Sequence, residues 1–278
     1  MELDAHVTAE RSAAAPSVAC WQQRLHLAWT GSDMHLNVMA SSDGVGYGPK
    51  LRLAHTSSRL ETSTDVSVGN MDRRTIGLAP AIAAGESGTD IGWTGTDRRL
   101  NVLSLASHDP ATLGETSYLG PTLANVAGEL ALAWTGNDRH VNDMTTQSGT
   151  FGPKSSLDAR SSTTPALCAL GDRLVLAWTG SDRRINVMVA GAEGQRLEAK
   201  SSDSPALCAL ADEVVLAWTG TDRHINVMVS RGCEFGEGEA QRLEAKTSFG
   251  PALGAHLGPA YLAWTGTDGR INVARMLS

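Results

Sequence analysis

The chain has 278 residues and a net charge of −7. That balance argues against a nucleic-acid or anionic-membrane partner, since both reward a basic field, and no apolar run is long enough for membrane insertion. The four cysteines, Cys20, Cys168, Cys208 and Cys233, form no Cys-x-x-Cys pair or His-Cys cluster, so no metal or cofactor is expected.

The first residues, Met1 to Val7, lack the basic start and apolar stretch of a signal peptide. The expected address is cytoplasmic, with export by another route as the alternative. Glu2-Leu-Asp-Ala-His-Val precedes the first repeat and resembles Arg196-Leu-Glu-Ala-Lys and Arg242-Leu-Glu-Ala-Lys near the far end.

From Pro16 onward one phrase returns six times. The pairs Pro16/Trp29, Pro80/Trp93, Pro121/Trp134, Pro165/Trp178, Pro205/Trp218 and Pro251/Trp264 each stand 13 apart. Every Trp opens Trp-Thr-Gly-[Ser/Thr/Asn]-Asp, and an Asn follows eight residues on, from Asn37 to Asn272. A repeat this regular determines the architecture. Between Asn37 and Pro80 lies a surplus of about 20 residues, too short for another unit of this kind. It is read as an insertion at about 58–76 between the first two units, and a connection of that length is functional or mobile.

Residues 205–250 show one unit in full. Pro205 opens a short apolar strand, where proline is tolerated. Ala211-Asp212 make a turn, and 213–219, rich in β-branched residues, form a second strand. Gly220-Thr-Asp-Arg is a tight turn. In the third strand, 224–229, Ile225, Val227 and Val229 point to one side and Asn226 and Met228 to the other. Residues 241–246 are a polar outer strand. Four antiparallel strands in about 40–45 residues make a propeller blade. The prediction is an all-β, six-bladed β-propeller in a single domain, 1–278. The last unit ends after its third strand, so residues 2–9 are expected to complete the sixth blade and remove two open edges.

The Trp-Thr-Gly-x-Asp repeats resemble those of bacterial six-bladed β-propellers of the sialidase-like and lectin-like kind. The likeness covers nearly the whole chain and is one of architecture. The sialidase Asp-box, Ser-x-Asp-x-Gly-x-x-Trp, is not matched, because here the Trp precedes the Asp. Fucose-binding six-bladed lectins place Trp and Arg in clefts between blades, and this chain carries that pair in every blade but the first. Their full motif is not matched, and no binding residue is carried over.

In a propeller the second-to-third strand turns and the outer-to-inner connections open on one end of the ring. That end should present His35, Arg98, Arg99, Arg139, His140, Arg183, Arg184, Arg223, His224 and Arg270, with Tyr118 and Phe249 in the pre-proline loops. Arg offers a planar fork of donors for carboxylates, phosphates and vicinal hydroxyls. Salt bridges to the turn aspartates are the competing role. The six Asp read as turn residues and the six Asn as strand or turn ligatures. Packing between blades accounts for the tryptophans, while an indole edge left open at a cleft would make Trp178 and Trp218 sugar-stacking platforms. Asp143 replaces the Val that follows Asn elsewhere, as a specialised acid or a tolerated defect. Cys168 and Cys208, in matching places, read as buried apolar residues, with a disulfide as the other option.

No catalytic motif is present. An active site breaks symmetry, whereas near-equivalent repeats favour binding that gains from simultaneous engagement. The expected function is multivalent, lectin-like binding of a carbohydrate, with a glycan or a small anionic or polyol ligand as the partner. The alternatives are a protein- or peptide-binding scaffold, and a hydrolase- or lyase-type enzyme with one pocket at the channel mouth under the 58–76 insertion.

Overall fold

The computed structural model describes residues 2–59, 77–85, 88–230, 234–236 and 240–277. Most of the expected insertion, together with Cys233, lies outside the described residues. Ser58 and Arg59 are inside them, and Arg59 forms an isolated bridge to Gly77.

The described residues fold into six antiparallel sheets, each a blade read from the channel outward. Blade 5 is Ala206–Leu210, Glu213–Thr219, His224–Val229 and Gln241–Lys246, within one residue of the boundaries read from sequence. Blade 1 spans 17–56, blade 2 spans 81–116, blade 3 spans 122–160 and blade 4 spans 166–200. Blade 3 adds a two-residue strand, Thr150–Phe151, against the end of its third strand.

Blade 6 takes three strands from the C-terminus, Ala252–Ala255, Ala260–Thr265 and Arg270–Leu277, and its outer strand from the N-terminus, Glu2–Arg11. The register runs from Glu2 opposite Leu277 to Val7 opposite Asn272. The expected closure is therefore present, and it satisfies the third strand's outer edge.

The core sits between blades. Trp218 packs with Ala177, Ile185 and Val187 of blade 4, and Trp264 with Ala217, Ile225 and Val227 of blade 5. Trp29 does the same on Ala263, Ile271 and Val273 of blade 6, across the chain's two ends. Each Trp thus glues its blade to the preceding one. Alternation in the third strand follows from this: Ile225 and Val227 face blade 6 while Met228 faces blade 4.

Cys168 lies in the core between blades 4 and 5 and Cys208 in that between blades 5 and 6. Both are free thiols, which excludes the disulfide option. Burial pushes the Cys208 thiol up to about 12. No helix among the described residues is long and apolar enough to cross a membrane.

Candidate functional site

The six Trp-Thr-Gly-x-Asp turns share one hydrogen-bond plan. In blade 5 the Gly220 amide donates to the His224 carbonyl (2.8 Å) and the Arg223 amide to the Gly220 carbonyl (3.0 Å). Asp222 Oδ1 accepts the His224 amide (3.1 Å), and Asn226 Nδ2 donates to the His224 carbonyl (3.2 Å). A Cβ on Gly220 would stand 2.7 Å from Asn226 Nδ2 and 2.9 Å from Asp222 Oδ1, so only glycine leaves room for the pair. The Asp and Asn of the motif build the turn, as the sequence suggested.

The threonine after each Trp ties its blade to the next. Its hydroxyl donates to a carbonyl two residues before the following proline: Thr30 to Leu78, Thr94 to Leu119, Thr135 to Thr163, Thr179 to Asp203, Thr219 to Phe249 and Thr265 to Ala14, all at 2.6–2.9 Å. These bonds surround the channel mouth, a cavity of about 120 Å³ ringed by Pro16, Pro80, Pro121, Pro165, Pro205 and Pro251. Among the described residues its lining holds Ala, Val, Leu, Ile, Pro, Ser and Thr, without a titratable side chain.

The candidate cations on this end divide into two sets. His35 (3.4 Å), Arg99 (3.9 Å), Arg184 (4.0 Å), His224 (3.0 Å) and Arg270 (3.9 Å) each lie beside the Asp of their own turn. Arg184 also pairs with Glu198. His140 instead contacts the Leu157 carbonyl at 3.1 Å. Outer-strand arginines crowd the same carboxylates: Arg52 on Asp33, Arg196 on Asp182 and Arg242 on Asp222. Hydrogen bonding by Arg242 and by the His224 amide holds Asp222 down at about 2.

The second set occupies the residue after Asp. Arg98, Arg139, Arg183 and Arg223 all adopt φ between 66° and 68°, a left-handed conformation. Arg98 lies over the Tyr118 ring at 5.2 Å and donates to the Arg59 carbonyl. Tyr118 is 53% exposed. Phe249 is half-buried, and its carbonyl accepts from Thr219 and Thr247.

Trp178 and Trp218 require correction. Both are buried, 8% and 4% exposed, because the preceding blade covers the indole. Neither offers an open ring face to a sugar. Asp143 is half-buried and accepts from Ser155, and burial pushes its carboxyl up.

Among the described residues, larger cavities lie between blades. Between blades 6 and 1 a cavity of about 270 Å³ is lined by His6, Val7, Glu10, Met39, Val45, Tyr47 and Lys50. Lys50 Nζ reaches Glu10 Oε2 at 2.7 Å across the junction and stands 6.0 Å from the Trp29 ring. The Tyr47 hydroxyl is buried without a hydrogen-bond partner among the described residues, and burial, with Tyr261 and Asp43 nearby, pushes its pKa upward. His6 Nε2 also lacks a hydrogen bond among the described residues, with the Asp4 carboxylate at 3.5 Å. Val7 is 59% exposed.

Blades 2 and 3 repeat part of this arrangement. Lys154 pairs with Glu115 at 3.1 Å, and Phe151 stands where Tyr47 does. Between blades 4 and 5 a cavity of about 720 Å³ includes Arg173, Glu193, Gln195, Glu234 and Phe235, with the Gln195 amide bonded to both backbone groups of Phe235. A third, of about 540 Å³, lies between blades 5 and 6 beside Leu210, Pro259 and Arg275. The sequence did carry a signal for the 6/1 cleft: Tyr47-Gly-Pro-Lys50 returns as Phe151-Gly-Pro-Lys154, one residue nearer to its motif Trp.

No family model matches the chain, and no curated protein is similar to it. Among solved structures it is similar to a fungal lectin from Aleuria aurantia, described as a six-bladed β-propeller with a novel fucose recognition mode. Identity is 10% over 96% of this chain and 93% of that one, with a TM-score of 0.68. The SapL1 lectin in complex with α-methyl fucoside is similar at 11% identity, covering 96% and 94%, with a TM-score of 0.66. BBS1N in complex with ARL6DN is similar at 9% identity, covering 98% and 94%, with a TM-score of 0.53. What these share with the chain is the fold, an all-β propeller.

Proposed function

We propose that this chain is a multivalent carbohydrate-binding propeller of the lectin type. The observation that carries the reading is the cleft between blades 6 and 1. It joins an apolar wall, Val7, Val45 and Met39, to a charged pair and to a buried tyrosine hydroxyl with no partner. Sugar sites need such a combination, a few fixed polar groups on an otherwise apolar surface. A ligand hydroxyl would supply the hydrogen bond that Tyr47 lacks. Further cavities at the 4/5 and 5/6 junctions support more than one site per chain.

The likeness to fucose-binding lectins makes α-methyl fucoside the first ligand to try. The charged turn end, with Arg98, Arg99, Arg139, His140, Arg183, Arg184, Arg223, His224, Arg270, His35, Tyr118 and Phe249, belongs to the same proposal as a surface for anionic or polyol groups. The bacterial and sialidase-like parts of the resemblance rest on repeat style alone. A protein-binding scaffold is the second reading, favoured by the likeness to BBS1N in its complex.

A glycan array tests the first reading. The wild-type chain is expected to retain a defined set of glycans. The double variant Tyr47→Phe, Lys50→Ala should lose at least about 10-fold in signal, the scale of one or two buried hydrogen bonds, at an unchanged melting temperature. A silent array overturns the proposal.

A further inference from the structure

The left-handed residue of each turn is fixed by its backbone. In blades 3, 4 and 5 the carbonyls of Arg139, Arg183 and Arg223 accept the amides of Ser161, Ser201 and Thr247, where the outer strand leaves the sheet. The conformation is unfavourable for an L side chain and free for glycine. Blade 6 shows that glycine fits: Gly269 holds the same place at φ 80°, with the same turn hydrogen bonds at 2.8 Å. Blade 1 carries Met34 there, whose side chain is buried and packs beside Gly77.

Arg139, Arg183 and Arg223 have no such compensation. All three are exposed, and none has a side-chain hydrogen bond, ion pair or ring contact among the described residues. Their neighbouring aspartates are already engaged. Asp182 and Asp222 take Arg196 and Arg242, and Asp138 accepts the His140 amide. The protein therefore holds three free guanidinium groups, in three successive blades, at positions where the backbone favours glycine. Exposed Ala127 and Ala211 hold a left-handed conformation too, so what distinguishes these three positions is a long cationic side chain kept, blade after blade, where glycine fits.

We infer that Arg139, Arg183 and Arg223 form an anion-reading edge for an acidic polysaccharide, one carboxylate or sulfate per blade. The inference rests on the carbohydrate reading above. Guanidinium forks bind such groups through paired N–H donors. These left-handed arginines are spaced one to a blade over three blades, on a chain of net charge −7. That suits a polymer with one anion per sugar better than a nucleic acid with its dense phosphates.

The test uses polygalacturonate and dextran sulfate beside their neutral counterparts, carboxyl-reduced polygalacturonate and dextran, with the full chain and with Arg139→Gly, Arg183→Gly, Arg223→Gly combined. The wild type is expected to bind at least one charged polymer ten-fold or more tightly than its neutral counterpart, with affinity falling as salt rises. The triple variant should lose that preference while melting at the same or a higher temperature. Equal binding of charged and neutral polymers, a preference unchanged in the triple variant, or equal binding of single-stranded DNA or poly-L-glutamate would each overturn the inference. Neutral glycans retained on the array beside such a result confine the failure to this edge. A silent array removes the carbohydrate reading with it.

Discussion

At the scale of single residues, the repeated phrase divides its work. The indole glues one blade to the preceding one, the threonine hydroxyl ties it to the next, and Gly, Asp and Asn close the turn. Trp218→Ala removes a side chain from a core of Ala177, Ile185 and Val187. It should lower stability by about 3–5 kcal/mol, read by denaturant unfolding. Thr219→Val keeps the shape but strands the hydroxyl's share of the Phe249 carbonyl. Its cost should be about 1 kcal/mol, the usual net value of one hydrogen bond. Asp43 gives a dependence on pH. Its Oδ1 accepts the Val45 and Gly46 amides and the Ser41 hydroxyl, and these bonds hold the carboxyl down at about 2. A folded pKa below the ordinary carboxylate value adds stability above about pH 4 that fades as pH falls toward 2. Melting curves should therefore show wild type above Asp43→Asn at neutral pH, with the gap closing through that window. A gap constant from pH 7 to pH 2 would contradict the assignment.

At the scale of strands, the sequence was most informative where period and spacing act together. Residues 213–219 and 224–229 alternate with period two, and Trp218 falls opposite Asn226 in the sheet, as the eight-residue spacing requires. The terminal strand was legible because blade 6 lacked an outer strand and the first residues looked like one. What the spacing does not encode is which surface covers a side chain. Packing was the leading reading of Trp178 and Trp218 and a sugar platform the alternative, and the neighbouring blade's position decides for core. The 6/1 cleft was hidden for a related reason. Glu10 and Lys50 meet only after the ring closes, and Tyr47 lies in a nine-residue connection without periodicity. Deleting residues 2–9 should expose the edge of Arg270–Leu277, lower the melting temperature on the order of 10 °C and promote edge-to-edge association. A truncated chain that stays monomeric and melts with wild type would show that closure contributes little.

At the scale of the molecule, six near-equal blades produce unequal junctions. Among the described residues, cavities larger than the channel mouth open between blades 4 and 5, 5 and 6, and 6 and 1, and the mouth is lined by proline and small side chains. Ligand binding at separated junctions gains through simultaneous engagement of a branched or repeating glycan, and each site alone needs only modest affinity. The turn end and the junctions are then two surfaces with different chemistry, one cationic and one mixed. The most direct test of the central claim is titration calorimetry of a monovalent glycan selected by the array, with wild type and Lys50→Ala side by side. The account predicts one binding site fewer per chain in the variant, with the remaining sites unchanged in affinity. Identical stoichiometry and affinity in the two proteins would contradict it.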